Sequence, residues 1–162
     1  MKAKELMVTL SDYLRPETTL TEAAHMLKTA HRGESRIGVK ALPVLDRQGW
    51  LVGILSIGDI LKAVYPPYLY LMDLGEFAWD GMVEAFAKKA ASKQVSEVMT
   101  RTVVTVREDA TLMECIDHML KSGVKRVPVM NSKHAVVGML YERDVFYAIT
   151  KAMVSKDAKE RS

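Results

Sequence analysis

The stretch GVKALPV at positions 38–44 returns as GVKRVPV at positions 123–129, with five of seven residues identical. The same offset of 85 positions aligns LVGILSIGD (51–59) with VVGMLYERD (136–144). Self-similarity at a fixed spacing is the signature of a duplicated structural unit. The sequence therefore predicts two copies of one fold, and each copy contains both of these runs at the same lengths.

A capped helix is predicted upstream in each copy. Thr19 with Glu22, and Thr111 with Glu114, match the pattern in which a hydroxyl and a carboxylate satisfy free amides at a helix start. Apolar residues follow both pairs at helical spacing. The offset between the pairs is 92 rather than 85, so the first copy contains about seven extra residues, which we place around KTAHRGESRI (28–37).

Two strands joined by a polar turn are predicted next, as ALPVL–DRQG–WLVGIL in the first copy and VPVM–NSKH–AVVGML in the second. Pro43 and Pro128 predict edge or bulged strands, because proline cannot donate to a ladder. TVVTV (102–106) predicts a further strand before the second copy's first helix, and LSDYL (10–14) is a poorer match to it. A second helix closes each copy, so the order is strand, helix, strand, strand, helix.

The fold class predicted is α+β, with two β-α-β-β-α repeats packed sheet to sheet. A unit of about 55 residues buries too little surface to be comfortable alone. The predicted organisation is a first repeat at 1–67, an inserted helical linker at 68–93, a second repeat at 94–150 and a solvated C-terminal tail at 151–162.

The linker carries more apolar and aromatic residues than a plain connection needs. One helical face is predicted to hold Trp79, Met82, Val83, Phe86 and Ala90. This face either packs on its own domain or forms a dimer or partner surface, and periodicity does not distinguish these alternatives.

Composition excludes several function classes. The 162 residues are 49% apolar and 27% charged, and the net charge of +3 comes without a dense basic stripe, which argues against nucleic-acid binding. No apolar stretch approaches the roughly 18 residues that a membrane span needs. The N-terminus MKAKELMVTL lacks the apolar centre of a signal peptide, so a cytoplasmic location is predicted.

Catalytic and metal-binding patterns are not found in the sequence. Cys115 is the only cysteine and lies among apolar neighbours at helical spacing, so we predict a core residue. The four histidines form no metal-ligand spacing, and no nucleophile–base pair or phosphate loop can be named. We therefore predict a protein that is not an enzyme.

The duplication, the GVK-x-x-PV strands and the G-x-L-x-x-x-D ends together resemble the tandem CBS-domain proteins, whose paired repeats are called Bateman modules. The resemblance implies pseudo-twofold packing of the repeats, two clefts between them and frequent homodimers. It also implies binding of adenosine-type ligands such as AMP, ADP, ATP or S-adenosylmethionine. Such modules act as regulators, energy sensors among them, and need no cofactor beyond that regulatory ligand.

Ser56 and Asp59 have two interpretations. Ser-x-x-Asp at a strand-to-helix junction is a common capping box. The resemblance implies instead that the hydroxyl contacts a phosphate and the carboxylate holds the ribose diol. In the second copy Tyr141 replaces the serine while Asp144 is retained, which favours a separate role for the carboxylate, although an acid that favours the helix dipole remains a competitor.

Phosphate-binding cations are also implied by the resemblance. In the gamma subunit of AMP-activated kinase, basic residues just before the proline-containing strand face the phosphates. The matching residues are Lys125 and Arg126, with Lys40 as a weaker candidate. Strand alternation predicts that one of Lys125 and Arg126 instead points to water; Arg126 is preferred because its planar fork suits phosphate.

The adenine ring in such modules lies near the first strand, which corresponds to Thr102–Val104, so Thr102 and Val104 are candidates. In the first copy Asp12 stands in place of Val104 and disfavours an anionic ligand. Tyr141 either stacks on a base or plugs the second cleft. One occupied cleft is therefore predicted.

The function predicted is a non-catalytic sensor that binds an adenosine-type ligand and alters homodimer contacts, or contacts with a separate effector through 68–93. The alternative is a CBS-fold scaffold whose clefts are degenerate, which Asp12 and Tyr141 favour.

Overall fold

The computed structural model describes residues 1–31, 37–76 and 78–155. The chain forms two compact units: unit 1 combines Met1–Leu10 with Val104–Ser162, and unit 2 is Ser11–Val103. The first ten residues thus fold with the second sequence repeat, while the residues that lead into the second repeat fold with the first. The compact units therefore differ from the sequence repeats by a reciprocal exchange of N-terminal segments.

Unit 1 contains a four-stranded sheet in the spatial order β1 (Val8–Thr9), β6 (Val136–Tyr141), β5 (Arg126–Met130) and β4 (Val106–Arg107). The β1–β6 and β6–β5 pairs are antiparallel, and β4 pairs with β5 in parallel. Its elements are α1 (Ala3–Leu6), β1 (Val8–Thr9), β4 (Val106–Arg107), α6 (Leu112–Ser122), β5 (Arg126–Met130), β6 (Val136–Tyr141) and α7 (Glu142–Val154).

Unit 2 is built on the antiparallel hairpin of β2 and β3. Its elements are α2 (Leu20–Thr29), β2 (Ala41–Leu45), β3 (Leu51–Ser56), α3 (Ile57–Val64), two 3₁₀ turns (Pro67–Leu71 and Leu74–Glu76), α4 (Met82–Ala90) and α5 (Val95–Val98). Isolated bridges stand where unit 1 has its outer strands: Leu14 pairs with Val44, and Thr100 with Ile54. At the repeat offsets these are the positions of Val106 with Val129 and of Val8 with Met139 in unit 1. The two units therefore share one plan.

The α+β fold and both hairpins are confirmed, but the first strand of each repeat is not where the sequence predicts it. Of TVVTV (102–106) only Val106 is in a strand, and of LSDYL (10–14) only Leu14 makes a bridge. The physical reason is connectivity, because the chain leaves one unit and enters the other at residues 10–11 and 103–104. The crossing residues 11–13 and 102–105 form no strand, although the amide of Leu10 still donates to the Val137 carbonyl of β6 at 3.0 Å.

The capped helix starts and the bulged strands are confirmed, although only the hydroxyl half of each predicted capping box is found among the described residues. The hydroxyls of Thr19 and Thr111 accept hydrogen bonds from the amides of Glu22 and Glu114, each at 3.2 Å. The strands of Pro43 and Pro128 each carry a register shift, between Val44 and Leu45 and between Val129 and Met130. Such bulges are where strands accommodate residues that cannot complete the ladder.

The linker and the tail differ from their predictions. The 68–93 segment is not one helix, because α4 begins only at Met82 after Gly81, whose φ of 89° interrupts helical geometry. Trp79 therefore precedes the helix, although its ring still meets Phe86 edge to face, with centroids 6.2 Å apart. α7 continues to Val154, so the first part of the predicted 151–162 tail is helical. Residues 156–162, and 32–36 within the predicted insertion at 28–37, lie outside the described residues.

Each unit has its own apolar core under its hairpin. In unit 2, Leu14, Val44 and Leu55 are completely or almost completely buried. In unit 1, Val127, Val129 and Leu140 are completely buried. Cys115 belongs to the unit 1 core, as predicted, and burial is the main reason that the pKa of its thiol is raised.

One glycine in each hairpin permits a close backbone approach. A Cβ on Gly138 would stand 2.6 Å from the sulfur of Met7 and 2.7 Å from the carbonyl oxygen of Val8. A Cβ on Gly53 would stand 2.6 Å from the sulfur of Met99 and 3.0 Å from a backbone oxygen. These are the glycines that the repeats share, and they admit the exchanged N-terminal segment to each hairpin.

We predict that Gly138→Ala destabilises the protein by about 1–3 kcal/mol, because the added methyl overlaps a backbone carbonyl that β1 pairing holds in place. The measurement is the free energy of unfolding in urea. Gly58→Ala is the matched control, since its Cβ would meet only the Ser56 hydroxyl at 3.5 Å, an ordinary contact. Equal stability of the Gly138 variant and the control would contradict the close-approach interpretation.

Candidate functional site

Asp59 lies in the first turn of α3, and its carboxylate is bound on both sides. Its Oδ2 accepts the Ser56 amide at 2.9 Å, while the Ser56 hydroxyl accepts the Asp59 amide at 3.1 Å, which completes a capping box. Its Oδ1 accepts the Thr100 hydroxyl at 3.0 Å. The residue is 9% exposed. Ser56 and Asp59 are thus brought together, but chiefly to close the helix start.

Lys40 stands beside this junction. Its carbonyl accepts the amide of Ile57, the first residue of α3, at 2.9 Å, and its side chain is exposed. Thr102 is exposed in the segment that leaves unit 2. Unit 2 therefore groups Lys40 with Ser56 and Asp59 and places a hydroxyl residue, Thr102, shortly after Thr100 in the chain.

Asp144 occupies the same position at the start of α7 in unit 1, yet its environment differs. Its Oδ2 is buried and has no hydrogen-bond partner among the residues that the structure describes. A buried carboxylate oxygen without a donor loses its hydration without compensation. It is the only side-chain oxygen or nitrogen in this condition within the described ranges.

The missing donor has a precise location in the repeat. Thr100, which donates to Asp59, bridges Ile54 in unit 2. The equivalent position in unit 1 pairs with Met139 and is Val8, which has no hydroxyl. Unit 2 therefore has a hydroxyl at the position where unit 1 has a methyl group. The Asp59 carboxylate accepts a hydrogen bond from that hydroxyl, and the Asp144 carboxylate has no such donor. The sequence carried this signal at the 92-residue offset, but the pairing needed to interpret it is a tertiary contact.

Two cations lie at the start of β5, the strand that pairs with the β6 strand preceding this carboxylate. Arg126 begins β5 directly opposite Tyr141 and is half-buried. Burial lowers the pKa of Arg126, while Tyr141 and Glu142 act in the opposite direction. Lys125 is exposed, and its carbonyl accepts the amide of Glu142 at 2.8 Å. Unit 1 thus brings Lys125 and Arg126 to the start of the helix that carries Asp144.

Tyr141 and Val104 contribute differently from the polar candidates. Tyr141 is only 7% exposed and is the residue before α7, where its side chain makes no cap hydrogen bond. Val104 is half-buried and packs against the unit 1 core. Both side chains therefore support unit 1 and offer little surface to a ligand. Thr102 and Val104 fall on opposite sides of the boundary between the units.

Unit 2 also contains two adjoining cavities, which the sequence did not indicate. One, of about 420 Å³, has Asp59 and Glu97 in its wall together with Lys62, Lys89 and Lys93. The other, of about 650 Å³, is lined mainly by apolar residues of α3, α4 and the 3₁₀ turns. The second cavity depends on the 68–93 insertion, for which the other repeat has no counterpart.

None of the helices within 1–31, 37–76 and 78–155 combines the length and the apolar character that crossing a membrane requires. Across the same residues, histidine, cysteine, aspartate and glutamate form no group of three that could hold a metal ion.

Several known proteins are similar to this chain in sequence and in architecture. The family model for the CBS domain matches residues 3–66 and 95–151. An uncharacterized protein of Methanocaldococcus jannaschii is 30% identical over 124 residues, which cover 68% of this chain and 73% of that protein. Inosine-5'-monophosphate dehydrogenase of the same organism is 24% identical over 160 residues; the match covers 99% of this chain but only 26% of that enzyme.

Solved structures give the same fold. The crystal structure of CBSX2 in complex with AMP matches with a TM-score of 0.66 at 22% identity, covering 94% of this chain and 98% of that one. Since the family model matches well over half of the residues in two successive segments, this chain belongs to the CBS-domain family and carries two tandem copies of the domain.

Proposed function

We propose that the protein is a non-catalytic regulatory module that binds an adenosine-type ligand through the unit 1 site at Asp144, Lys125 and Arg126. The observation that carries the proposal is the buried, unpartnered Oδ2 of Asp144. A ribose diol supplies two hydroxyl donors, which are what this oxygen lacks. That a CBS-domain structure of similar fold is a complex with AMP supports the ligand class.

The cations supply the second half of the recognition. Arg126 is half-buried and takes part in none of the ion pairs found among the described residues. The planar fork of a desolvated guanidinium gains most from a doubly charged partner, such as a phosphate, whose oxygens can accept two parallel hydrogen bonds. Lys125 adds an exposed positive charge one residue earlier in the chain. An acceptor for hydroxyls and two donors for an anion together favour a nucleotide over an uncharged nucleoside.

In unit 2, Asp59 remains a weaker ligand candidate. Both of its oxygens already accept hydrogen bonds, from Ser56 and Thr100. A ligand there would have to use the remaining lone pairs of a residue that is 9% exposed. This state favours one occupied site, and it also supports the alternative that the module is a scaffold with degenerate sites. Thermal-shift screening separates the two functions, because a ligand that binds only the folded protein raises its melting temperature.

A homodimer is the third part of the proposal. Met113 and Leu120 on α6 and Phe146 on α7 are 73%, 78% and 57% exposed, and the two helices contact each other within unit 1. Large apolar side chains exposed on neighbouring helices are typical of protein–protein contact surfaces. Ligand binding at the start of α7 would act directly on this surface, and a separate effector could be contacted through 68–93. A cytoplasmic location remains a prediction.

We predict that Asp144→Asn weakens binding of AMP or ATP about 10- to 100-fold, because hydrogen bonds to a charged acceptor contribute about 1.5–3 kcal/mol. Isothermal titration with AMP, ATP, S-adenosylmethionine and NAD measures the affinities. Asp117→Asn is the matched control, since Asp117 is an acid of unit 1 paired with Lys121 on the surface of α6. Absence of binding by ligand-stripped protein, or equal affinities of both variants, would contradict the proposal.

We further predict that Val8→Thr stabilises the ligand-free protein by about 1 kcal/mol, because the new hydroxyl donates to Asp144 as Thr100 donates to Asp59. The same variant should bind nucleotide more weakly, since the ligand then competes with an internal donor. Urea unfolding and isothermal titration measure the two effects. Thr100→Val is the reciprocal variant and should lower stability while leaving nucleotide affinity unchanged. If Val8→Thr changes neither quantity, Asp144 does not lack a donor.

A further inference from the structure

The 68–93 insertion creates a second candidate binding site in unit 2, distinct from the nucleotide site proposed in unit 1. The larger cavity lies between α3, α4 and the 3₁₀ turns and measures about 650 Å³, within the range of small-molecule pockets. Among its described lining residues only Lys62 is charged. Its walls include two edge-to-face aromatic pairs, Tyr65 with Tyr70 and Trp79 with Phe86.

The smaller cavity is continuous in its lining with the larger one. Lys62, Val64, Tyr65 and Phe86 line both. Beyond these shared residues the wall of the smaller cavity becomes more polar, because Lys89 and Lys93 enter it together with Asp59 and Glu97. We therefore treat the two adjoining cavities as one amphipathic site, in which Lys62 lines both the apolar part and the polar part.

The positive charge of the smaller cavity is only partly neutralised by the protein. None of the ion pairs found among the described residues includes Lys62, Lys89 or Lys93. The two acids in the wall are already used in helix caps: Glu97 accepts the Gln94 amide at 2.7 Å, and Asp59 accepts Ser56 and Thr100. Three ammonium groups against two committed carboxylates leave a net attraction for an anion.

We propose that this site binds a single-chain amphipathic carboxylate of fatty-acid type, with its apolar chain in the larger cavity and its carboxylate at Lys62, Lys89 and Lys93. The apolar walls account for the chain, and the lysines account for the sign of the head group. Tyr65 takes no part in recognising the head group, since its hydroxyl donates to the Leu69 carbonyl at 3.1 Å.

A second copy of the chain is a poorer occupant of this groove. In a twofold dimer the same patch faces itself, so uncompensated ammonium groups beside the groove would approach their own copies. An apolar partner segment would fill the larger cavity but leave the lysines without an anion. A small molecule with one apolar and one anionic end satisfies both parts of the site.

Fluorescence of Trp79 provides a direct test in the full chain. The protein has two tryptophans, and Trp50 lies in the turn before β3, so a Trp50→Phe background leaves Trp79 as the single reporter. The probes are dodecanoate, dodecanol and dodecyltrimethylammonium, each below its micelle concentration. We expect a saturable shift of Trp79 emission to shorter wavelength, with dodecanoate binding on the order of tenfold more tightly than the cationic probe.

Charge variants make the test specific. Lys62→Glu should weaken dodecanoate binding on the order of tenfold and leave dodecanol binding nearly unchanged. Lys88→Glu is the matched control, because Lys88 is exposed beside Lys89 at the end of α4 and lines neither cavity. Ala87→Phe, which fills the apolar cavity, should abolish binding of all three probes. Melting curves of each variant establish that it is folded, and Lys93→Gln replaces Lys62→Glu if the latter is not.

Several outcomes would overturn the proposal. Equal affinities for the three probes would indicate non-specific adsorption. Displacement of dodecanoate by AMP would assign the cavity to the nucleotide. Trp79 emission that depends on protein concentration but not on the probe would mean that a second copy covers the groove. Failure of AMP to bind anywhere would contradict the proposed function without affecting this site, because the reporter responds to the apolar cavity alone.

Discussion

The close approach of a methionine sulfur and a backbone carbonyl to a glycine in each hairpin is the contact on which both units depend. At Gly138 and at Gly53 a side chain as small as a methyl group would overlap these atoms. In each case the atoms belong to a segment that precedes the other repeat in sequence. The exchange of N-terminal segments between the units is therefore possible only where the third residue of the second hairpin strand has no Cβ.

This exchange also determines the chemistry of the sites. In unit 2 the segment admitted by the glycine carries Thr100, whose hydroxyl donates to the first-turn aspartate Asp59. The equivalent position in unit 1 is Val8, which has no hydroxyl, and Asp144 keeps an oxygen without a donor among the described residues. Two copies of one backbone plan thus hold carboxylates that differ in whether they receive a hydroxyl donor. This difference does not depend on the change from serine to tyrosine at the Ser/Tyr-x-x-Asp junction. The contact that differs is long-range, since Thr100 and Asp59 are 41 positions apart.

Most of the local structure followed from the sequence, because its causes are local. Threonine caps, polar turns and alternating runs fix helices and hairpins within a few residues, and the repeat supplied each assignment twice. The strand predicted at TVVTV (102–106) begins only at Val106, because β propensity does not reveal that residues 102–105 carry the chain between the units. The periodicity of the sequence places Trp79 on the same helical face as Phe86. Trp79 nevertheless lies outside α4, because the helix begins only after Gly81. The roles of Val8, Thr100 and the two cavities depend on contacts between distant segments, which no single-sequence pattern encodes.

The unequal copies also suggest how stability and function are divided. The carboxylate oxygen of Asp144 that lacks a donor lowers the stability of unit 1, and so does the half-buried charge of Arg126. The two groups do not compensate each other, because no ion pair joins them among the described residues. A protein selected for stability alone could remove the first cost with one hydroxyl at position 8, as unit 2 does at Thr100. Asp144 has an acceptor without a donor, and Arg126 is a cation without an ion-pair partner among the described residues. A ligand that carries hydroxyls and an anionic group would supply both missing partners. The copy that is imperfect as a fold is therefore the better candidate for the site.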